Sequence, residues 1–227
     1  LYMNIFEAIK IGDIKLKKKG IKSYKLDSEI LMSQVLHNSR KDLILNFDKK
    51  LSDKETIFYN NLIEQRSKKK PIAYLTGKKE FWKYEFYVTK DVLIPRPDTE
   101  LIVEQVIKLT KTKSRLKILD IGIGSGCILL SILKERKSFY GTGIDICKKT
   151  LDICKANVKK LDLINRIKLF KSDIDNFNYG KYDLIISNPP YIKKLDLKYL
   201  EKDVINFEPK IALDGGLDGT SEIRKII

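Results

Sequence analysis

Histidine is nearly missing: His37 is the only one in 227 residues. A metal site built on imidazoles or a Ser-His-Asp triad has no raw material here, so no metal is expected. Cysteine is sparse as well. Cys127, Cys147 and Cys154 form no Cys-x-x-Cys pair and read as reduced thiols of a cytoplasmic protein. No apolar run approaches the ~18 residues of a membrane span, and the first residues carry no signal-peptide pattern. Internal repeats and low-complexity tracts are absent too. These gaps point to a cytoplasmic chain with no membrane partner; a monomer is expected.

Lysine, in contrast, is abundant, and the net charge is +15. Residues 1–95 carry +8 of it and residues 96–227 carry +7. An even spread fits compositional bias better than a concentrated nucleic-acid surface, so no stable nucleic-acid partner is expected. The Lys17-Lys18-Lys19 run reads as a solvated face, and Lys68-Lys69-Lys70 suits a helix end, where cations complement the dipole.

Along the chain, residues 1–70 read as a small helical domain. Ile5, Phe6 and Ile9 begin an apolar face. Asp27 or Ser28 can cap a helix bearing Ile30, Leu31, Val35 and Leu36. Ser52-Asp53-Lys54-Glu55 is a capping box, opening a helix with Phe58, Leu62 and Ile63 inward. Residues 71–97 form a hairpin and linker, with aromatic strands around Glu80 to Val88. Ile94-Pro95-Arg96-Pro97 makes a rigid lip that places Arg96 and Glu100 at a cleft.

From residue 98 the pattern is α/β. A helix over 98–111 precedes strands at 117–121, 140–146, 166–171 and 182–186, with helices at 127–135 and 148–160. Such alternation predicts a Rossmann-like, doubly wound, mostly parallel sheet. Ligands in these sheets bind beyond the carboxyl ends of the strands. Gly122-Ile123-Gly124-Ser125-Gly126, Asp145, Asp173 and Asn188 all fall there. A dinucleotide fingerprint needs glycine where Cys127 stands, leaving Gly-x-Gly-x-Gly. That loop lets a ligand lie close to the backbone, and the following helix start suits a carboxylate. Asp145 can accept from two ribose hydroxyls, and Asp173 from an adenine amino group. Adenine, ribose and an amino-acid tail without pyrophosphate together describe S-adenosylmethionine.

Asn188-Pro189-Pro190-Tyr191 supplies the other half of the chemistry. Successive prolines donate no hydrogen bonds and stiffen the segment, leaving carbonyls free to accept. Asn188 Oδ1 and the Pro189 carbonyl can take the two N–H groups of a planar NH2. That fixes a weak nucleophile in line with a methyl sulfonium and stabilises positive charge growing on its nitrogen. The acceptor on these grounds is glutamine or adenine.

Nearly the whole chain resembles the HemK/PrmC family of peptide chain release factor glutamine methyltransferases. The resemblance rests on Pro71-Ile72-Ala73-Tyr74-Leu75-Thr76-Gly77, Glu80-Phe81-Trp82, Ile94 to Glu100, Asp120 to Gly126, Ser187 to Tyr191, Phe207-Glu208-Pro209 and Ala212 to Gly216. It implies a helical substrate-recognition domain, a hairpin, and a methyltransferase domain acting on the Gly-Gly-Gln glutamine of class 1 release factors. Cofactor contacts would fall to Gly122 to Gly126, Asp145, Asp173, Ile174 and Asn188, with Ile174 standing where many members carry an aromatic residue. The substrate amide would fall to Asn188, Pro189, Pro190 and Tyr191. Ribosomal-protein glutamine methyltransferases share the chemistry but usually vary the Arg96-Pro97-Asp98-Thr99-Glu100 lip. An adenine methyltransferase acting on DNA or RNA is the remaining alternative. The family also implies two further strands beyond Ile227, so a truncated methyltransferase domain is expected.

Overall fold

A computed structural model describes residues 3–227. The chain separates into two compact units, dividing between Thr76 and Gly77.

The first unit is helical: α1 (Ile5–Lys18), α2 (Tyr24–Leu36), α3 (Arg40–Leu45), α4 (Asp53–Ser67) and α5 (Ile72–Thr76). Reciprocal capping boxes start two of them, Asn4 with Glu7 on α1 and Ser52 with Glu55 on α4. The start of α2 differs from expectation. Its N-cap is Ser23, so Asp27 and Ser28 lie inside the helix and are buried. Asp27 faces inward because it pairs with Arg66 of α4, Nε to Oδ2 at 2.7 Å. Such a pair satisfies two charges that burial would otherwise penalise. On α4 the inward residue is Tyr59, while Phe58 is 48% exposed. Tyr59, Leu62, Ile63 and Arg66 follow i, i+3, i+4, i+7 spacing, one helical stripe that Phe58 leaves by a single residue. Phe6 likewise sits half out of the core, against Phe47. His37 ends α2 in the left-handed conformation.

The second unit opens with a hairpin, β1 (Lys78–Phe81) and β2 (Tyr84–Tyr87). Then come α6 (Glu100–Leu109), β3 (Lys117–Ile121), α7 (Cys127–Glu135), β4 (Tyr140–Asp145), α8 (Lys148–Lys160), β5 (Ile167–Lys171) and β6 (Leu184–Ser187). Two short helices follow, α9 (Lys202–Phe207) and α10 (Ser221–Ile226). The parallel sheet has the order β5-β4-β3-β6. The last strand begins two residues later than its apolar run suggests. Asp183 joins a tie instead, its carboxylate accepting the Lys117 N–H at 2.7 Å.

One face of the sheet is covered by α6, α7 and α8, where Val103, Leu129, Leu133 and Leu151 pack with Ile118 and Ile186. Phe81 and Phe86 bring the hairpin into the same core. Asn157 of α8 fastens it, accepting from Tyr87 N at 2.7 Å and donating to Tyr87 O at 3.0 Å. Leu119, Ile121 and Ile144 face the other way and meet Phe170, Phe177, Tyr182 and Ile226.

The chain order decides where the site lies. After β3, β4 and β5 step outward in one direction, the chain returns to place β6 on the other side of β3. That reversal is a topological switch point, where the loops leaving adjacent strands part and open a crevice. Ile121 is in register with Ser187, so the glycine loop and Asn188 leave the sheet side by side.

Candidate active site

A cavity of about 860 Å³ lies over the carboxyl ends of β3, β4, β5 and β6. The glycine loop forms its floor. Gly122, Gly124 and Gly126 have φ of +73°, +57° and +83°, values that L side chains rarely adopt. Gly122 and Ile123 donate to the Ile144 carbonyl at 3.0 and 2.9 Å, which ties the loop to β4. Gly126 faces the other way: a Cβ there would lie 2.9 Å from Cys154 Sγ and 2.9 Å from Leu130 Cδ1. Gly126 thus lets α7 seat, while Gly122, Ile123, Gly124 and Ser125 line the cavity.

Asp145 closes β4. Its Oδ2 accepts the Gly124 N–H at 3.2 Å and its Oδ1 the Cys147 N–H at 2.9 Å. Burial holds its carboxyl above the usual carboxylate range, and those two amides oppose the rise. Beneath the loop, Asp120 is 1% exposed, and neither of its oxygens has a hydrogen-bond partner. Burial, with the Asp145 charge adding to it, pushes Asp120 up to about 8, and the nearby Leu129 N–H opposes this without reversing it. Burial also raises the Cys127 thiol to about 12 and lifts Cys154, so neither is a ready thiolate.

Asp173 and Ile174 line the cavity beyond β5. The Asp173 carboxylate is already engaged: Oδ1 accepts the Asn176 N–H at 2.8 Å, and both oxygens take the Asn176 side-chain amide. Ile174 supplies an apolar wall, packed on the Leu119, Ile121 and Ile144 cluster.

Asn188, Pro189 and Pro190 leave β6 into the same cavity. Ser187 Oγ donates to the Ile121 carbonyl at 2.8 Å and holds the strand end in place. Asn188 Nδ2 points to Thr99 Oγ1 at 3.5 Å. Behind the prolines, Ile192 pairs with Asp214 and Gly215 N donates to Ile192 O at 2.9 Å. A Cβ on Gly215 would lie 2.8 Å from Tyr191 Cα and 2.9 Å from the Pro190 carbonyl, so only glycine lets this segment back the prolines.

Three expected site residues stand apart from the cavity lining: Gly126, Glu100 and Tyr191. Glu100 accepts the Trp82 N–H at 2.7 Å, fastening the hairpin turn where Trp82 has φ of 58°. Tyr191 is 65% exposed. Arg96 does line the cavity, and its guanidinium is paired with the buried Glu208 at 2.5 Å. Glu208 also accepts the Ile94 N–H at 3.2 Å. Thr99 and Glu208 were not legible as site residues; both act on partners far away in sequence.

Residues 7–77 match the PrmC N-terminal domain, and residues 97–208 match the methyltransferase small domain. A release factor glutamine methyltransferase from Buchnera aphidicola subsp. Baizongia pistaciae is 40% identical over 228 residues, covering 99% of this chain and 80% of the relative. The chain belongs to the release factor glutamine methyltransferase family. A member from Clostridium acetobutylicum is 38% identical, over 99% of this chain and 80% of its own length. Another, from Caulobacter vibrioides, is 35% identical over 93% of this chain and 74% of its own. Among solved structures, the hMettl16 catalytic domain, crystallised with the MAT2A 3'UTR hairpin 6, aligns with a TM-score of 0.52. It covers 78% of this chain and 64% of that one at 16% identity, a likeness of fold. Among the described residues no helix is long and apolar enough to cross a membrane.

Proposed function

We propose that this chain methylates the side-chain amide nitrogen of the glutamine in the Gly-Gly-Gln motif of bacterial-type class 1 release factors, with S-adenosylmethionine as donor. One observation carries the reading: the Gly122 to Ser125 floor, Asp145 and Asn188-Pro189-Pro190 line one cavity at the switch point of the sheet.

The residues present suit the donor. The glycine floor admits a ligand against the backbone. Asp145, held by two amides, has the acceptor character that ribose hydroxyls require. Ile174 and Ile146 offer apolar surface for a purine. When bound, S-adenosylmethionine supplies an electrophilic methyl group.

The chain's own task is to hold the acceptor. An amide nitrogen is a poor nucleophile because its lone pair is delocalised. Asn188 Oδ1 and the Pro189 carbonyl accept its two N–H groups, which fixes the nitrogen and favours the positive charge that develops on it. Thr99 Oγ1 engages the Asn188 amide group, leaving Oδ1 to the substrate. The proton departs afterwards, to water. The helical unit ending at Thr76 recognises the release factor.

The full chain, incubated with methyl-labelled S-adenosylmethionine, should label a release factor and not its Gln→Ala tip variant. A ribosomal protein substrate and nucleic acid serve as the other arms. Equal label on either of those would overturn the assignment.

A further inference from the structure

A second concavity, of about 500 Å³, lies at the opposite, amino-terminal edge of the sheet. The strand starts build it. Lys117 opens β3 in register with Tyr140, which opens β4, and Lys168 of β5 is in register with Thr142. Tyr179 and Lys181 close it from the segment leading to β6.

We propose that this concavity binds a nucleotide unit, phosphate together with base, as one link of a single-stranded RNA. Arg115, Lys117, Lys168 and Lys181 line it, and no acidic side chain does among the described residues. Arg166 also lines it but is committed elsewhere, donating to the Leu133, Arg136 and Lys137 carbonyls. Asp183, just outside, is turned to the Lys117 N–H. The remaining cations therefore face the cavity without a carboxylate to neutralise them. Two rings are half-open beside them, Tyr140 at 38% and Tyr179 at 47% exposure. Arg115 lies over Tyr140 at 4.8 Å, and Lys168 Nζ donates to the Tyr179 hydroxyl at 2.9 Å. The same cations act on their neighbour: the Lys168 hydrogen bond and charge, with Lys117 further off, hold the Tyr179 phenol below its ordinary range. Cations alone would suit any anion. Arg115 covers one side of Tyr140 and Phe170 one side of Tyr179, at 4.9 Å between ring centroids, so each ring keeps only part of its surface for a base. Cations beside such half-exposed rings suit phosphate joined to a base. The cavity is remote from Asn188, at the other end of the strands, so it serves attachment and not methyl transfer.

The test is fluorescence anisotropy of the full chain with labelled octauridylate across a salt series. Lys117→Ala/Lys181→Ala should weaken binding about tenfold and flatten the log–log salt slope by roughly 0.7 per lost phosphate contact. Tyr140→Leu should weaken it about fivefold or more, the low end of one stacked base. Lys18→Ala/Lys54→Ala, an equal charge change on the helical unit, should leave it within about twofold. Uridine monophosphate, inorganic phosphate and oligoglutamate are the competitors. Displacement by the strand alone assigns an RNA link, and displacement by the mononucleotide at similar concentration assigns a free nucleotide to the same chemistry. Equal losses in the two double variants, or displacement by oligoglutamate as strong as by RNA, would overturn the proposal.

Discussion

Glu208 Oε1 accepts from the Arg96 guanidinium at 2.5 Å, across 112 residues of sequence. The same carboxylate takes the Ile94 N–H. Both contacts brace the proline lip, so Arg96 reads first as a clamp on its own protein. Removing Arg96 would leave a charge in a side chain only 2% exposed. Breaking a fully buried pair costs about 3–5 kcal/mol. Arg96 is itself 38% exposed, so solvent screens part of that. Arg96→Ala should cost ~2 kcal/mol by denaturant unfolding, and Arg96→Ala/Glu208→Gln should recover part of it. A single variant as stable as the parent would remove the clamp.

Gly126→Ala tests the seat of α7. The new Cβ would meet φ of +83°, Cys154 Sγ and Leu130 together. Backbone strain and overpacking each contribute about 1–3 kcal/mol, so a loss of ~3 kcal/mol is expected in the unfolding midpoint. Cofactor affinity should fall with it, because the loop floor and the helix start move as one piece. A stable variant with normal binding would mean that the loop relaxes freely.

How much of this was legible depended on sequence range. The glycine loop, the end of β4 at Asp145 and the exit of β6 at Asn188 are local patterns of apolar runs, glycines and prolines, and they could be read directly. Glu100 reaching Trp82, Asp27 reaching Arg66 and Glu208 reaching Arg96 are partnerships 18, 39 and 112 residues apart. No periodicity encodes them. Glu100 was therefore read as a cleft residue when its carboxylate fastens a turn. Asp27 was read as a cap when it is half of a buried pair. Asp173 shows a third case: its position was legible, but the Asn176 amide that occupies it was not.

Asp120 predicts how stability varies with pH. Its folded pKa of about 8 lies above the ~3.9 of an unfolded aspartate. Below ~4 both states hold the proton, so nothing is lost. As pH rises from there toward 8, the unfolded chain releases it while the fold keeps it, and stability falls. Asp120→Asn removes this dependence. Denaturant midpoints of variant minus parent should therefore rise steadily from pH 4 to pH 8. Parallel curves would show that Asp120 ionises in the fold as it does in water.

Asp145 makes a related prediction about binding. In the role proposed for it, its carboxylate accepts ribose hydroxyls, and burial raises its pKa. Protonation on acidification should begin at a higher pH than for an ordinary aspartate, and affinity for S-adenosylmethionine should fall with it. Calorimetric titrations from pH 7.5 to 5 check this. Asp145→Asn should bind about tenfold more weakly at neutral pH, the cost of a charge-assisted hydrogen bond. Its profile should be flat over that range; a profile matching the parent would assign the titration elsewhere.

Asn188 and Thr99 separate holding from binding. Asn188 Oδ1 is the acceptor assigned to the substrate N–H, and its Nδ2 lies 3.5 Å from Thr99 Oγ1. Asn188→Ala should lower the rate of transfer about 10²–10³-fold, the usual effect of losing one group aimed at developing charge. Cofactor affinity, measured by calorimetry, should change less than tenfold, because the glycine floor and Asp145 remain. Thr99→Val keeps the shape and deletes the hydroxyl. A contact of 3.5 Å is at the long end of hydrogen bonding, so its loss should matter through freedom and not through energy. The Asn188 amide could then turn its NH2 toward the substrate. The expected signature is a lower kcat, by about tenfold, with KM for the release factor nearly unchanged. A rise in KM at constant kcat would instead place Thr99 in substrate binding, and equal losses of transfer and cofactor affinity in Asn188→Ala would remove Asn188 from the chemistry.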